Sequence, residues 1–342
     1  MAHDRYRLIG GDGERARANG LVQAEWYRSD IPRPLKKAIV RRSDAPALRD
    51  TAIWYGLIAV SGGLLVLTWN SAWAYPAFFL YATLYAGPAD SRWHEAGHGT
   101  PFATGWMNTW LYQIASFQVM RRPTVWKWSH ARHHTDTLIV GRDQEIQVRL
   151  PIRPVRLVLD FFGFELAPRE FVASIRNAFG RISPEEQTLV PEAEHARVIV
   201  EARAWVLAFA AIAGAAIWLG SWLPIYLFGL IPSIGGAWLY NFFGIVQHAC
   251  LPENVLDHRL NSRTVLMNPV SRFLYWNMNY HVEHHMYPST PYHALPLLHE
   301  TIRADCPPPY PSMWSAYREF LPALYRQWRD PSYHVRRPLP TH

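Results

Sequence analysis

Two residues are cysteine, Cys250 and Cys306, out of 342. That excludes a disulfide framework and any built-in four-cysteine iron or zinc module. Charge is missing in two places. No Asp, Glu, Lys or Arg occurs from Thr51 to Ala89, and none from Ala204 to Pro252. An ordinary soluble domain scatters charge over all its surface elements, so this segregation excludes one. Disorder is excluded by the opposite abundance, 16 Trp, 17 Tyr and 15 Phe. The first fifty residues hold 11 Lys/Arg and 7 Asp/Glu with no apolar run. No cleavable signal peptide is therefore expected. The net charge of +7 suits basic loops beside a membrane, and no nucleic-acid motif accompanies it.

Each uncharged stretch exceeds the roughly 20 apolar residues that one crossing needs. The first divides at Trp69-Asn70-Ser71-Ala72 into spans near Ile53–Thr68 and Trp73–Tyr85. The second divides at Gly220–Pro224 into spans near Ala204–Leu219 and Ile225–Val246. The fold expected is an all-α integral membrane protein, four transmembrane helices forming two hairpins under a cytoplasmic helical cap. Its parts are an N-terminal segment 1–50, a first hairpin 51–89, a cap 90–203, a second hairpin 204–248 and a tail 249–342. The basic residues lie in the first, third and last of these. The positive-inside rule places those three, and both termini, in the cytoplasm. Trp69, Trp73, Trp218 and Trp222 stand where an interfacial aromatic belt would be.

Nine of the 16 histidines are clustered. His94-Glu-Ala-Gly-His98 follows the first hairpin, and His130-Ala-Arg-His133-His134 comes next. His248 ends the fourth span, and His281-Val-Glu-His284-His285 lies in the tail. All fall on the side that charge alone assigns to the cytoplasm. On a helix, positions i, i+3 and i+4 share a face, so each cluster is expected to project its imidazoles together. Nine protonated imidazoles would repel one another, and bound metal resolves this by holding them neutral. Nine ligands exceed one ion and suit two, with four or five nitrogens each. Imidazole serves iron, copper, zinc and nickel, so residue type leaves the element open. The other seven histidines (His3, His195, His258, His293, His299, His334 and His342) lack partner spacing and read as structural or solvated.

These boxes, HEAGH, HARHH and HVEHH with an additional QH, resemble the membrane fatty acid desaturase–hydroxylase superfamily over roughly Thr51 to Pro296. The resemblance implies a di-iron centre, with iron cycling between Fe2+ and Fe3+, that activates O2 and attacks an unactivated C–H bond. The nine histidines would be its ligands. The second box is similar to those of acyl desaturases and carotenoid ketolases and unlike that of bacterial alkane hydroxylases, which is one residue longer. The run Gly20-Leu-Val-Gln-Ala-Glu-Trp-Tyr with Ile31-Pro-Arg-Pro is similar to bacterial rhizopine-catabolism hydrocarbon oxygenases. That favours hydroxylation or oxidative demethylation, with acyl-lipid desaturation as the alternative and a lipid, hydrophobic or small-molecule substrate in either case. The resemblance implies an inner-membrane location.

The chain has no haem motif and too few cysteines for a rubredoxin or Rieske centre of its own. A separate ferredoxin or Rieske-type donor with its reductase is expected at the cytoplasmic face, with Arg121, Arg122, Lys127 and Arg132 as contacts. Metal-bound imidazoles usually donate their second N–H to a carboxylate or carbonyl. Glu95, Asp136 and Glu283 adjoin the clusters and are the expected acceptors; Asn241, Asn277 or Asn279 would hold a metal-bound water. HEAGH also matches the zinc-protease motif, with Glu95 as base. An intramembrane zinc protease would need a membrane aspartate, and a metal transporter would need polar groups along its spans. Neither uncharged stretch supplies one.

Overall fold

A computed structural model describes residues 5–340. His3 and His342 lie outside the described residues. Among those described, no β-strand occurs, only two isolated bridges. The long helices are α1 (Asp44–Thr68), α2 (Ala74–His98), α3 (Gly105–Gln118) and α4 (Pro123–Thr135). Next come α5 (Pro154–Phe161), α6 (Leu166–Ala178), α7 (His195–Trp218) and α8 (Leu230–His248). The tail supplies α9 (His281–Met286), α10 (Leu295–Ile302) and α11 (Met313–Arg329).

Among the described residues, three helical stretches are long and apolar enough to cross a membrane: Arg33–Thr68, Glu192–Trp218 and Leu223–His248. Trp73, Trp218 and Trp222 at the hairpin turns are exposed. The span read at Trp73–Tyr85 begins α2, but that helix does not stop at the uncharged boundary. It continues through Asp90, Arg92 and Glu95 to His98, so the boundary at 89/90 falls inside one helix. Residues Tyr85 to Trp93 are all buried, because α2 packs against α1 on one side and α8 on another.

Two local features let α2 carry histidines at its end. Pro88 has no N–H and frees the carbonyl of Leu84. The Trp54 indole N–H from α1 donates to that carbonyl at 2.7 Å. On the other face, a Cβ at Gly236 of α8 would lie 1.9 Å from the Ala82 carbonyl oxygen. Only glycine permits that approach, and it brings His248 level with the end of α2. Gly99, with φ 67°, then stops α2 in the left-handed conformation directly after His98.

α1 begins seven residues, and α7 nine residues, outside their uncharged runs. At the start of α1, the Asp44 carboxylate accepts from the Thr104 N–H at 2.9 Å and the Thr104 hydroxyl at 2.7 Å. In the central segment α6 packs along α7 and α5 contacts α8, while α7 and the turn of helix at Pro184–Leu189 pack on α4. The loop ahead of α5 reaches the histidines through Asp143 and Glu145.

Candidate metal centre

Four elements converge at one end of the molecule. The last turn of α2 presents His94 and His98, α4 presents His130, His133 and His134, α8 ends on His248, and α9 presents His281, His284 and His285. The nine form two groups. His94, His98, His130, His134 and His284 make one; His133, His248, His281 and His285 make the other. Within each group the ligand atoms all lie within 4.8 Å of one another.

The boxes do not project as units, contrary to the expectation from spacing. Each His-x-x-His-His splits. Residues i and i+4 (His130 with His134, His281 with His285) share a group, and the i+3 residue joins the other one. Helix geometry gives the reason: at roughly 100° per residue, i+4 lies about 40° to one side of i and i+3 about 60° to the other. One short helix therefore serves both groups.

The ring nitrogens show what such a cluster can hold. The His248 Nδ1–H donates to the Asn261 carbonyl at 2.8 Å. A carbonyl only accepts, so this proton fixes the tautomer and leaves the Nε2 lone pair free in the neutral ring. His133 Nδ1 donates to Asp143 at 2.8 Å, and His130 Nδ1 to Glu145 at 3.1 Å. Thr137 uses its own hydroxyl hydrogen on the His133 carbonyl at 2.6 Å, so its oxygen accepts from His285 Nδ1 at 3.2 Å. Four Nε2 lone pairs are thereby turned inward. There the Nε2 atoms crowd together: His94 to His284 at 2.7 Å, His248 to His281 at 2.8 Å, His98 to His130 at 3.1 Å. Two lone pairs at such separations repel unless a proton or a cation lies between them. The donor set and its orientation fit two metal ions.

Charge points the same way. Burial, then the neighbouring histidines, hold His134, His281, His284 and His285 well below the ordinary imidazole range, as neutral donors. Burial would raise Glu145, but the facing His130, with lesser help from His133 and Arg121, outweighs it and holds the carboxyl down at about 2.

The three expected carboxylate acceptors fare differently. Glu95 lies behind a histidine, 3.5 Å from His284 Nδ1, and accepts from the Thr100 hydroxyl and the Tyr292 N–H at 2.9 Å each. Asp136 instead accepts from Arg142 at 2.9 Å. Glu283 turns away to Thr264 and His299, each at 2.5 Å. Adjacency in sequence misled here, because a helical residue beside a ligand points off its face. The working acceptors, Asp143 and Glu145, lie nine and eleven residues past His134, in the loop that doubles back under α4. Asn241, Asn277 and Asn279 each commit their amide N–H to backbone carbonyls.

Two of the four expected cationic contacts are also corrected. Arg121 is buried against Asp90 at 2.5 Å, with its guanidinium 4.2 Å from the Trp93 ring. Arg122 is buried among Glu170, Glu186 and Asn177. Lys127 is exposed, and Arg132 donates to the Thr188 carbonyl. Lys127, Arg42 and Arg197 border a cavity of about 260 Å³ that reaches His98.

The model of one family, described as fatty acid desaturase, matches residues 70–317 and so spans all nine histidines. No curated protein matches the chain.

Proposed function

Because the chain belongs to the fatty acid desaturase family, we propose that it is a membrane-bound di-iron oxidase that hydroxylates or oxidatively demethylates its substrate. The observation that carries this reading is the pair of histidine groups, five and four, with inward lone pairs fixed by Asp143, Glu145, Thr137 and Asn261. When bound, the iron pair supplies electron transfer to O2 and oxidation of a C–H bond.

The residues of this chain supply the rest. His94, His98, His130, His134 and His284 would hold one ion, and His133, His248, His281 and His285 the other. Asp143 and Glu145 orient their rings and balance cationic charge. Trp93, buried and 5.3 Å from His130 between ring centroids, keeps water from that side. In hydroxylation one oxygen atom of O2 enters the product and the other leaves as water. Two electrons come from the C–H bond and two from an external donor.

The helices α1, α2, α7 and the Leu223–His248 stretch are read as four spans, with the charged segments and the histidines in the cytoplasm. A ferredoxin or Rieske-type donor would meet the cytoplasmic face at Lys127 and Arg42, beside His98. Lys127→Glu should raise the apparent KM for an acidic ferredoxin, more at low salt than at high salt. Unchanged donor kinetics would refute that contact. Acyl-lipid desaturation at the same centre is the second reading.

The test is expression with a ferredoxin and its reductase, and mass spectrometry of lipids and polar metabolites against a His284→Ala control. A product heavier by one oxygen, or lacking a methyl group, supports the oxygenase. A product lighter by two hydrogens overturns it in favour of desaturation.

A further inference from the structure

The α5–α6 hairpin carries an apolar face with no protein against it. Val155 is 75% exposed, Phe164 57%, Val172 64% and Phe179 78%, with Val158 and Phe162 also exposed. No residue of α5 is buried. So continuous an apolar surface on a soluble protein marks an interaction site.

Its position shows what covers it. The backbone turn at Gly163 is pressed against Ala237 and Ile234 of α8. Ala237 precedes His248 by eleven residues, which is about 17 Å along the helix. Asn241 of α8 donates to the Asp160 and Phe161 carbonyls, at 3.2 and 2.9 Å, and ties down the end of α5. On the other side, Arg203, the last charged residue of α7 before its uncharged run, donates to the Ala178 carbonyl at the end of α6. Phe171 of α6 packs on Phe209 of α7, centroids 5.0 Å apart, six residues into that run. The hairpin thus sits at the depth where α7 becomes charged, beside the middle of α8. Its exposed face adjoins that of α7, which carries Val200 and Leu207. Arg153, Arg169 and Arg181 are exposed around it.

We propose that α5–α6 is an interfacial anchor, its apolar face embedded in the cytoplasmic leaflet and its arginines among anionic lipid headgroups. An apolar face buried about 5–10 Å into the bilayer and flanked by basic residues is the physics of an in-plane helix. The inference rests on reading α7 and α8 as membrane spans. It has a consequence for the centre. α5 and α6 wall a cavity of about 210 Å³ whose opposite wall is the 144–153 loop bearing Glu145. Embedding the hairpin sets that cavity at headgroup depth, beside the carboxylate that orients His130.

The experiment uses the full chain in nanodiscs of phosphatidylcholine with phosphatidylglycerol. Spin labels at Val158→Cys, Phe164→Cys and Phe179→Cys are read by collision with oxygen and with a water-soluble nickel chelate. Native Cys250 and Cys306 are buried and are replaced by serine. Ser332→Cys, exposed in the tail, gives the aqueous reference, and Leu207→Cys on α7 the lipid reference. The expected result is an oxygen-to-nickel ratio several-fold above that at Ser332 at all three hairpin sites. Ratios equal to that at Ser332, or labels shielded from both reagents as in contact with a second copy, would overturn the anchor. If Leu207 itself reads as aqueous, the membrane reading has failed; a lipid-like Leu207 with an aqueous hairpin refutes the anchor alone.

Discussion

Replacing Asp143 by asparagine should strip one metal ion and leave the other. Asp143 is fully buried. Its Oδ2 accepts from His133 Nδ1 at 2.8 Å and from the Leu138 N–H at 2.9 Å; its Oδ1 accepts from the Glu145 N–H at 2.8 Å. Three donors aim at two oxygens. Asparagine offers one oxygen, so its NH2 must face at least one N–H, and the charge that polarises His133 is lost. A hydrogen bond to a charged group is worth about 1.5–3 kcal/mol, which at about 1.4 kcal/mol per decade is roughly one to two powers of ten in affinity. Loss of an outer carboxylate typically costs a metal site about 10- to 100-fold, in agreement. His133 belongs to the four-histidine group, so that site should empty first. The assay is iron per chain after graded chelator challenge. Wild type is expected to release its iron late and together, and Asp143→Asn to lose about half at a 10- to 100-fold lower chelator concentration. A release profile identical to wild type would refute the reasoning, and so would loss of both ions together. Asp136→Asn is the control, because that carboxylate serves Arg142.

Further outcomes follow from the packing. Gly236→Val drives a side chain into the Ala82 carbonyl and should lower stability by about 1–3 kcal/mol or more, read as a lower thermal midpoint in detergent. Gly63→Val, with open space at its Cβ, should leave the midpoint unchanged; equal effects at both positions would refute the contact. Arg122→Ala removes the buried cation that Glu170 and Glu186 share, leaving Glu186 only the half-exposed Arg176 at 2.7 Å and Glu170 only Arg169 at 3.7 Å, and breaking such a buried pair costs about 3–5 kcal/mol. Burial raises both carboxyls, but Arg122 outweighs it and holds them below their ordinary value. Their contribution is therefore present above the unfolded carboxylate range, near pH 4.3, and is lost as pH falls below it. Urea midpoints from pH 7 to pH 3 should show this window in wild type and not in Arg122→Ala; parallel curves would contradict it. Chelation should speed hydrogen exchange at 281–286 before α2 or α8 responds, since a six-residue helix is too short to persist without its tertiary partners. Uniform exchange across all three would count against metal holding α9.

Much of this was legible in the sequence. Charge-free runs and paired turns mark where apolar helices lie, and i, i+3, i+4 histidines mark helical ligand faces. Other features depend on contacts that sequence spacing does not encode. The splitting of each box between two groups depends on how α4 and α9 are turned relative to each other. Asp143 and Glu145 reach His133 and His130 only because the loop after α4 folds back, whereas Asp136 and Glu283, nearer in sequence, point away. Arg121 and Arg122 look like surface cations by composition, yet each has a carboxylate and ring or amide partners inside the protein. The apolar face of α5–α6 is hidden in a segment whose mean composition is charged, because arginines alternate with valines and phenylalanines at helical spacing.

The most direct test is elemental analysis of the purified chain, expressed aerobically and never exposed to chelator. Two histidine groups that each hold an iron predict two irons per chain, falling to about one in His248→Ala, whose ring belongs to the four-histidine group alone. One zinc per chain, or two irons retained in His248→Ala, would contradict it.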